Sequence, residues 1–423
     1  MAPRHRSTGS YLAATVVAAL ALASCGGSGD DASGRGVTLN WFVGTQPGGT
    51  IQEVAKRCTE QSNGEYTINV ELLPTDASQQ REQLVRRLGA EDSNVDLIGM
   101  DVIWTAEFAN AGWLREFTGE DAERVTKDVF DSVIESASFE GKLYGAPFNT
   151  NTQLLWYRTD QVDEPPETWA EMIDEAERIG GFIQVQANRY EGFTVWVNAM
   201  IESAGTQILS GPEEVDLEEG STTEALAMIG RLANSPAAPR DISTSNEDTA
   251  RLGFEAGDSP FMLNYTFAYA SAQANAPEVA KNMGAAVFPS VVKGEPGRPP
   301  LGGFNIGVSS FSEHPDEAFD AAACISSPES QLIATKLDGL PPSNETLYRD
   351  PVVRKAFPGF AKDVADSVRA AAPRPTTPAY TDLSLAIQRS LHPPDSINPD
   401  DPKPAYDKLY EAVSDAVKRE GLL

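Results

Sequence analysis

The chain has 423 residues, a formal net charge of −29 and three histidines, with 41% hydrophobic and 22% charged residues. That balance fits a soluble globular protein, and so acidic a chain is repelled by nucleic acid and by anionic lipid headgroups. The length exceeds one ordinary core and predicts two domains of about 150 residues or more each.

The front end predicts no part of the fold. Arg4, His5 and Arg6 make a basic start, residues 12–22 are apolar or small, and Leu22-Ala23-Ser24-Cys25 follows. This order describes a secretory signal peptide, residues 1–24. The apolar run is well short of the roughly 20 residues that a membrane span needs. Cys25 after Leu-Ala-Ser resembles a bacterial lipobox, which implies lipidation of that cysteine. Residues 25–36, rich in Gly, Ser and Asp, then predict a lipid-anchored flexible tether. With Cys25 so assigned, Cys58 and Cys324 remain. An exported location permits a disulfide, and the expectation is that they pair; the alternative is two buried thiols that never meet.

From residue 37 onward strand-like and helix-like stretches alternate. Residues 37–43 (VTLNWFV) are β-rich, 51–60 read as a helix, and 66–72 (YTINVEL) alternate with period two. Residues 79–88 form a helix with Leu84, Val85 and Leu88 on one face, and 95–100 (VDLIGM) form a short strand ending at Asp101. This alternation predicts βαβ units and a mainly parallel sheet, in which ligands bind beyond the carboxyl ends of strands. A second unit begins near residue 150, with a strand at 154–157. Thr168 and Glu171 then form a capping box, in which the Glu171 side chain reaches back to the cap. Further strands are predicted at 261–264 and 304–308, a Gly/Pro turn region at 293–300, and mostly helix from residue 316.

Chemistry is sparse. His5 belongs to the leader, His314 and His392 each precede a proline, and none has a partner at metal-ligand spacing. Neither a G-x-S-x-G elbow nor a P-loop occurs. No catalytic residue, metal or cofactor is therefore expected. The pairs Asp96/Asp101 and Glu191/Glu255 leave a secreted glycoside hydrolase open, and a peptide or polyamine binder and a surface adhesion module are the other rivals.

Four segments carry a family resemblance. Residues 141–147 (GKLYGAP) are similar to the entry into the first interdomain crossing of the extracellular sugar-binding proteins of ABC importers. Residues 166–171 (PETWAE) and 250–265 (ARLGFEAGDSPFMLNY) resemble that family's helix start and its strand bearing a cleft aromatic, and 302–307 (GGFNIG) its returning crossing. Within the family the chain most resembles the trehalose-binding lipoproteins of actinobacteria, through residues 97–113, 149–158, 185–196 and 372–380. Cys58 and Cys324 also fall where those lipoproteins have cysteines. The stretch between Tyr269 and Gly302 is shorter than in mycobacterial members, which bears on sugar preference.

The resemblance implies an α/β, two-lobed type II periplasmic-binding-protein fold with a hinged cleft. The expected lobes are residues 37–147 plus 266–311 and residues 148–265 plus 312–423, with crossings near 147–151, 264–267 and 309–313. It implies a monomer at the extracellular face of the cell membrane, held by the lipid on Cys25. Such a protein is not an enzyme, and passes a disaccharide, trehalose or else maltose or another α-glucoside, to permease subunits served by a separate ATPase chain. Carried over residue by residue, Asp101, Asn151, Gln80 and Arg374 bind sugar hydroxyls, Gly303 and Phe304 contact sugar at the returning crossing, and Tyr265 stands where the family has a stacking tryptophan. Gln46 and Glu191 carry over with differing neighbours. The bland alternatives are Asp101 as a helix cap, Asn151 in a turn, Arg374 in a surface ion pair and Tyr265 in the core.

Overall fold

The computed structural model describes residues 36–418. The leader, Cys25 and residues 25–35 of the tether lie outside the described residues. Eleven strands follow in chain order: β1 Val37–Val43, β2 Tyr66–Leu72, β3 Leu97–Asp101, β4 Ser138–Phe139, β5 Lys142–Leu143, β6 Ala146–Thr152, β7 Leu154–Arg158, β8 Ile183–Gln184, β9 Phe261–Asn264, β10 Met283–Ala286 and β11 Leu301–Val308. They form a five-stranded sheet of order β2-β1-β3-β11-β6, a four-stranded sheet of order β10-β7-β9-β8 and the small ladder β4-β5. Each large sheet is the centre of one lobe.

The first sheet is built from alternation. Leu39 and Trp41 are fully buried on one face of β1, and Ile51, Val54 and Ala55 of helix Thr50–Gln61 cover that face. The core of the second lobe is larger and holds Trp169, Phe193, Trp196 and Phe261. Helix Trp169–Ile179 begins at Thr168, whose hydroxyl accepts from the Glu171 N–H at 3.1 Å, and ends on left-handed Gly180. The return half of the expected box is shifted: the Glu171 carboxylate accepts from the Glu167 N–H, one residue before the cap.

Two expectations are corrected. The sheets are mixed, parallel only in β2-β1-β3 and β8-β9, because strands that re-enter a lobe from the other one, such as β11, run antiparallel to their neighbours. The lobe boundaries also move. Residues 266–300 do not join the first lobe: after β9 the chain passes through helix Phe267–Asn275 and returns as β10, antiparallel to β7 in the second sheet. Residues 315–338 do not join the second lobe. Helices Pro315–Ile325 and Pro328–Asp338 bury Ala318, Ala321, Ala322, Ile325 and Ala334 against Leu39, Val308 and Ile306 of the first sheet. Small alanines let these helices sit close to the strands, and that close fit decides which lobe they join.

The chain therefore crosses between sheets at Gln153, the single residue between β6 and β7, at Pro300 just before β11, and near residues 340–344. The last crossing lies beside the first: Thr150 N–H donates to the Pro341 carbonyl at 3.0 Å and the Ser343 hydroxyl to that of Pro147 at 3.0 Å. A third hydrophobic cluster straddles the crossings, joining Leu154, Trp156 and Leu301 to Tyr348, Val364 and Val368. Cys58 and Cys324 are joined by a disulfide between helices Thr50–Gln61 and Pro315–Ile325, both in the first lobe.

Candidate functional site

The carboxyl ends of β1, β3 and β6 and the amino end of antiparallel β11 share one edge of the first sheet. Asp101 closes β3 there. Across the sheet Phe304 stands in register with Asp101 on one side and Asn149 on the other, and Asn151 faces Gly302. Gly303, at φ 131°, is required by its neighbours: a Cβ there would come 2.3 Å from the Asn149 carbonyl oxygen. In the second lobe Tyr265 follows the carboxyl end of β9, and Glu191 opens helix Glu191–Glu202 after β8. Candidate residues of both lobes thus sit at strand ends, where open α/β sheets take ligands.

Arg374 connects them. Its guanidinium donates to the Glu191 carboxylate at 2.8 Å and to the Asp101 carboxylate at 3.4 Å. Only 7% of the Arg374 side chain is exposed, so it is no surface ion-pair partner. Asp101 is also a cap, accepting from the Ile103 N–H at 3.2 Å, as its alternative reading expects. Burial pushes the Asp101 carboxyl upward against the pull of Arg374. Burial works against the Arg374 charge too, yet the Tyr380 phenol and the Asp101 and Glu191 carboxylates hold its pKa well above the ordinary arginine value. Burial, followed by the nearby Glu247, also raises the Tyr265 phenol, which keeps it a neutral donor.

Gln80 is buried on helix Ala77–Leu88 beside Gly44, just past the end of β1, and the Gln46 carbonyl accepts from the Gly49 N–H at 3.1 Å. Among the described residues no hydrogen bond links either glutamine to the Arg374 group. Residues not singled out from sequence complete the site. Tyr380 and Ser384 donate to Glu191, the latter at 2.6 Å. Tyr190 donates to Glu247 at 2.7 Å. Gln153, at the crossing, donates to Gln186 at 2.7 Å, and Gln186 to the Leu263 carbonyl at 2.8 Å. The spacing Tyr380, Ser384, Gln388 was a readable signal, since residues four apart share a helix face.

One member of each hydrolase pair is engaged within the protein. Asp96 is buried, holding the Asn40 N–H and the Ser312 hydroxyl, and Glu255 is bound to Arg251 and Ser271.

Arg374 also lines a polar cavity of about 650 Å³ that is walled further by Glu135, Glu202, Gln207 and Arg298. Asp101, Asn151 and Tyr265 are not in that wall. Burial lifts the Glu202 carboxyl to about 7, helped by Glu135 and Asp216 and opposed by Arg298. The folded state therefore holds this proton more tightly than the unfolded one. Its contribution to stability is full below the ordinary value of 4.5 and is lost as pH rises through about 7. Glu202→Gln should remove about 2 kcal/mol of the stability difference between pH 5 and pH 8. Melting curves at the two pH values check this, and an undiminished difference refutes it.

The family model described as bacterial extracellular solute-binding protein matches residues 53–359. A "probable ABC transporter-binding protein" of Deinococcus radiodurans is 28% identical over 346 residues, covering 77% of this chain and 81% of the relative. The diacetylchitobiose-binding protein DasA of Streptomyces coelicolor is 23% identical over 349 residues, 78% of this chain and 80% of its own. Among solved structures, maltose-bound MalE3 of T. maritima superposes with a TM-score of 0.74 at 24% identity, covering 90% of this chain and 99% of that one. The likeness shows the fold, a two-lobed periplasmic-binding-protein architecture of type II.

Proposed function

The chain belongs to the bacterial extracellular solute-binding protein family, and from that premise we propose that it captures a neutral disaccharide between its lobes for an ABC importer. Trehalose is the first candidate. The observation that carries the reading is Arg374, which joins Asp101 of the first lobe to Glu191 of the second at the strand ends of both sheets. A sugar offers hydroxyls at fixed angles, and carboxylate, amide and guanidinium groups bind such hydroxyls in pairs. Asn151, Gly303, Phe304 and Gln80 supply the first-lobe wall, and Tyr265 the stacking face. Two carboxylates around one guanidinium leave net negative charge, which favours a neutral ligand over a sugar acid or sugar phosphate. A ligand touching both lobes binds the closed form better and shifts the population toward it.

Maltose or another α-glucoside is the second reading, supported by the maltose-bound relative in fold. The protein acts without chemistry of its own; ATP is hydrolysed on another chain, and lipid on Cys25 keeps the binder at the membrane. A melting-temperature screen tests this with trehalose, maltose, diacetylchitobiose, glucuronate disaccharides, amino acids and polyamines. Ligand at a hundred times its Kd adds about 2.7 kcal/mol, a shift of several degrees. One or a few neutral disaccharides should stabilise the protein and be recovered uncleaved. Stabilisation by amino acids, polyamines or sugar acids alone refutes the sugar reading, and release of monosaccharide refutes the binding reading.

A further inference from the structure

We propose that Tyr380 and Ser384 are positioning residues: they clamp the Glu191 carboxylate and through it hold the Arg374 guanidinium in its ligand-ready orientation. This deepens the capture reading and rests on it only for the role of Arg374. Glu191 carries over from the family as a sugar contact, but its hydrogen bonds point to another task. Oε1 accepts from both Arg374 and Tyr380, and Oε2 accepts from Ser384. Both oxygens are therefore engaged within the protein.

The clamp is itself held. Ser384 Oγ accepts from the Gln388 side chain at 3.0 Å and lies 2.9 Å from Thr194 Oγ1. Tyr380, Ser384 and Gln388 recur every fourth residue of helix Tyr380–Leu391, so one helix face presents all three. Glu191 and Thr194 stand three apart on the opposing helix and present a matching face. The Tyr380 ring also lies under the guanidinium, 5.8 Å from its carbon.

An unclamped arginine has many rotamers and about 2 kcal/mol of side-chain entropy to lose on binding. Glu191 alone would be a poor anchor, since 38% of its side chain is exposed and water competes for it. Two hydroxyl donors fix the carboxylate, and the carboxylate then fixes one edge of the guanidinium. Arg374 Nε remains buried with no partner among the described residues. Of the five guanidinium N–H donors, one on each Nη is spent on Glu191 and Asp101, and Nε–H is among the three that remain.

The test is a double-mutant cycle with the ligand found in the screen. Tyr380→Phe keeps the ring and removes only the hydroxyl, and should weaken binding roughly tenfold with little change in melting temperature. In the Arg374→Ala background the same substitution should cost nothing further, because it acts through Arg374. A readout without ligand runs beside it. The Arg374 Nε–H resonance, assigned by its loss in Arg374→Lys, should exchange slowly with water in the wild type and at least about tenfold faster in Tyr380→Phe. Equal losses of affinity in both backgrounds, or an exchange rate unmoved by Tyr380→Phe, overturn the proposal. If the wild type takes no sugar, the capture reading falls alone and the exchange rate still decides the clamp. Should Tyr380→Phe fail to fold, Ser384→Ala carries the same measurements.

Discussion

Arg374→Ala should keep the fold and lose at least about a hundredfold in ligand affinity. Arg374 touches residues of both lobes, so its loss removes a donor in the closed form and leaves Asp101 and Glu191 without their shared counter-charge. Unpairing a buried charge ordinarily costs several kcal/mol of stability. Here 25% of Asp101 and 38% of Glu191 are exposed, so water can rehydrate both carboxylates. The expected stability loss is then only about 1–2 kcal/mol. Arg374→Lys should recover little, because one compact ammonium cannot donate to two carboxylates as a planar fork does. Calorimetric titration together with melting curves separates the two effects. Unchanged affinity in Arg374→Ala removes this residue, and the site built on it, from the account.

The second large effect is expected from the disulfide. Cys58 and Cys324 are 266 residues apart, and both lie in helices of the first lobe. A cross-link that closes so long a loop restricts the unfolded chain strongly. The Cys58→Ser/Cys324→Ser protein should lose about 2–4 kcal/mol, and the loss should fall on one lobe. Scanning calorimetry should show a lower-temperature transition for the first lobe and a second-lobe transition left in place. Affinity at room temperature should hardly move, because the cysteines contact Arg57 and Gln61 and share no hydrogen bond with the Arg374 cluster. An unshifted first transition, or an equal shift of both, contradicts this.

Local structure was legible wherever period and punctuation spoke together. VTLNWFV, YTINVEL and FMLN are strands with the bounds their patterns suggest, and the Thr168 cap and Gly180 stop frame a helix. Lobe membership was not legible, because it depends on which surface a helix buries. The alanine face of residues 315–325 is compatible with either core until the fit against Leu39 and Val308 is known. The exit from β9 at Tyr265 reads like a crossing, and only the pairing of β10 with β7 shows the chain turning back. At the site, the family resemblance pointed to Asp101 and Arg374, but the grip of Tyr380 and Ser384 on Glu191 joins residues nearly 200 positions apart. Sequence patterns reach across a few helical turns, not across that distance.

The position of β11 in the first sheet constrains how this molecule can be assembled. β3 and β6 have no shared neighbour until residues 301–308 have been made, and the helices that seal the same lobe come later still. During synthesis the leading segment must wait, incomplete, while all four strands of the other lobe's sheet are produced. The two halves therefore cannot be separated by cutting the gene once: a fragment ending before β11 carries an open sheet edge, and such edges invite aggregation.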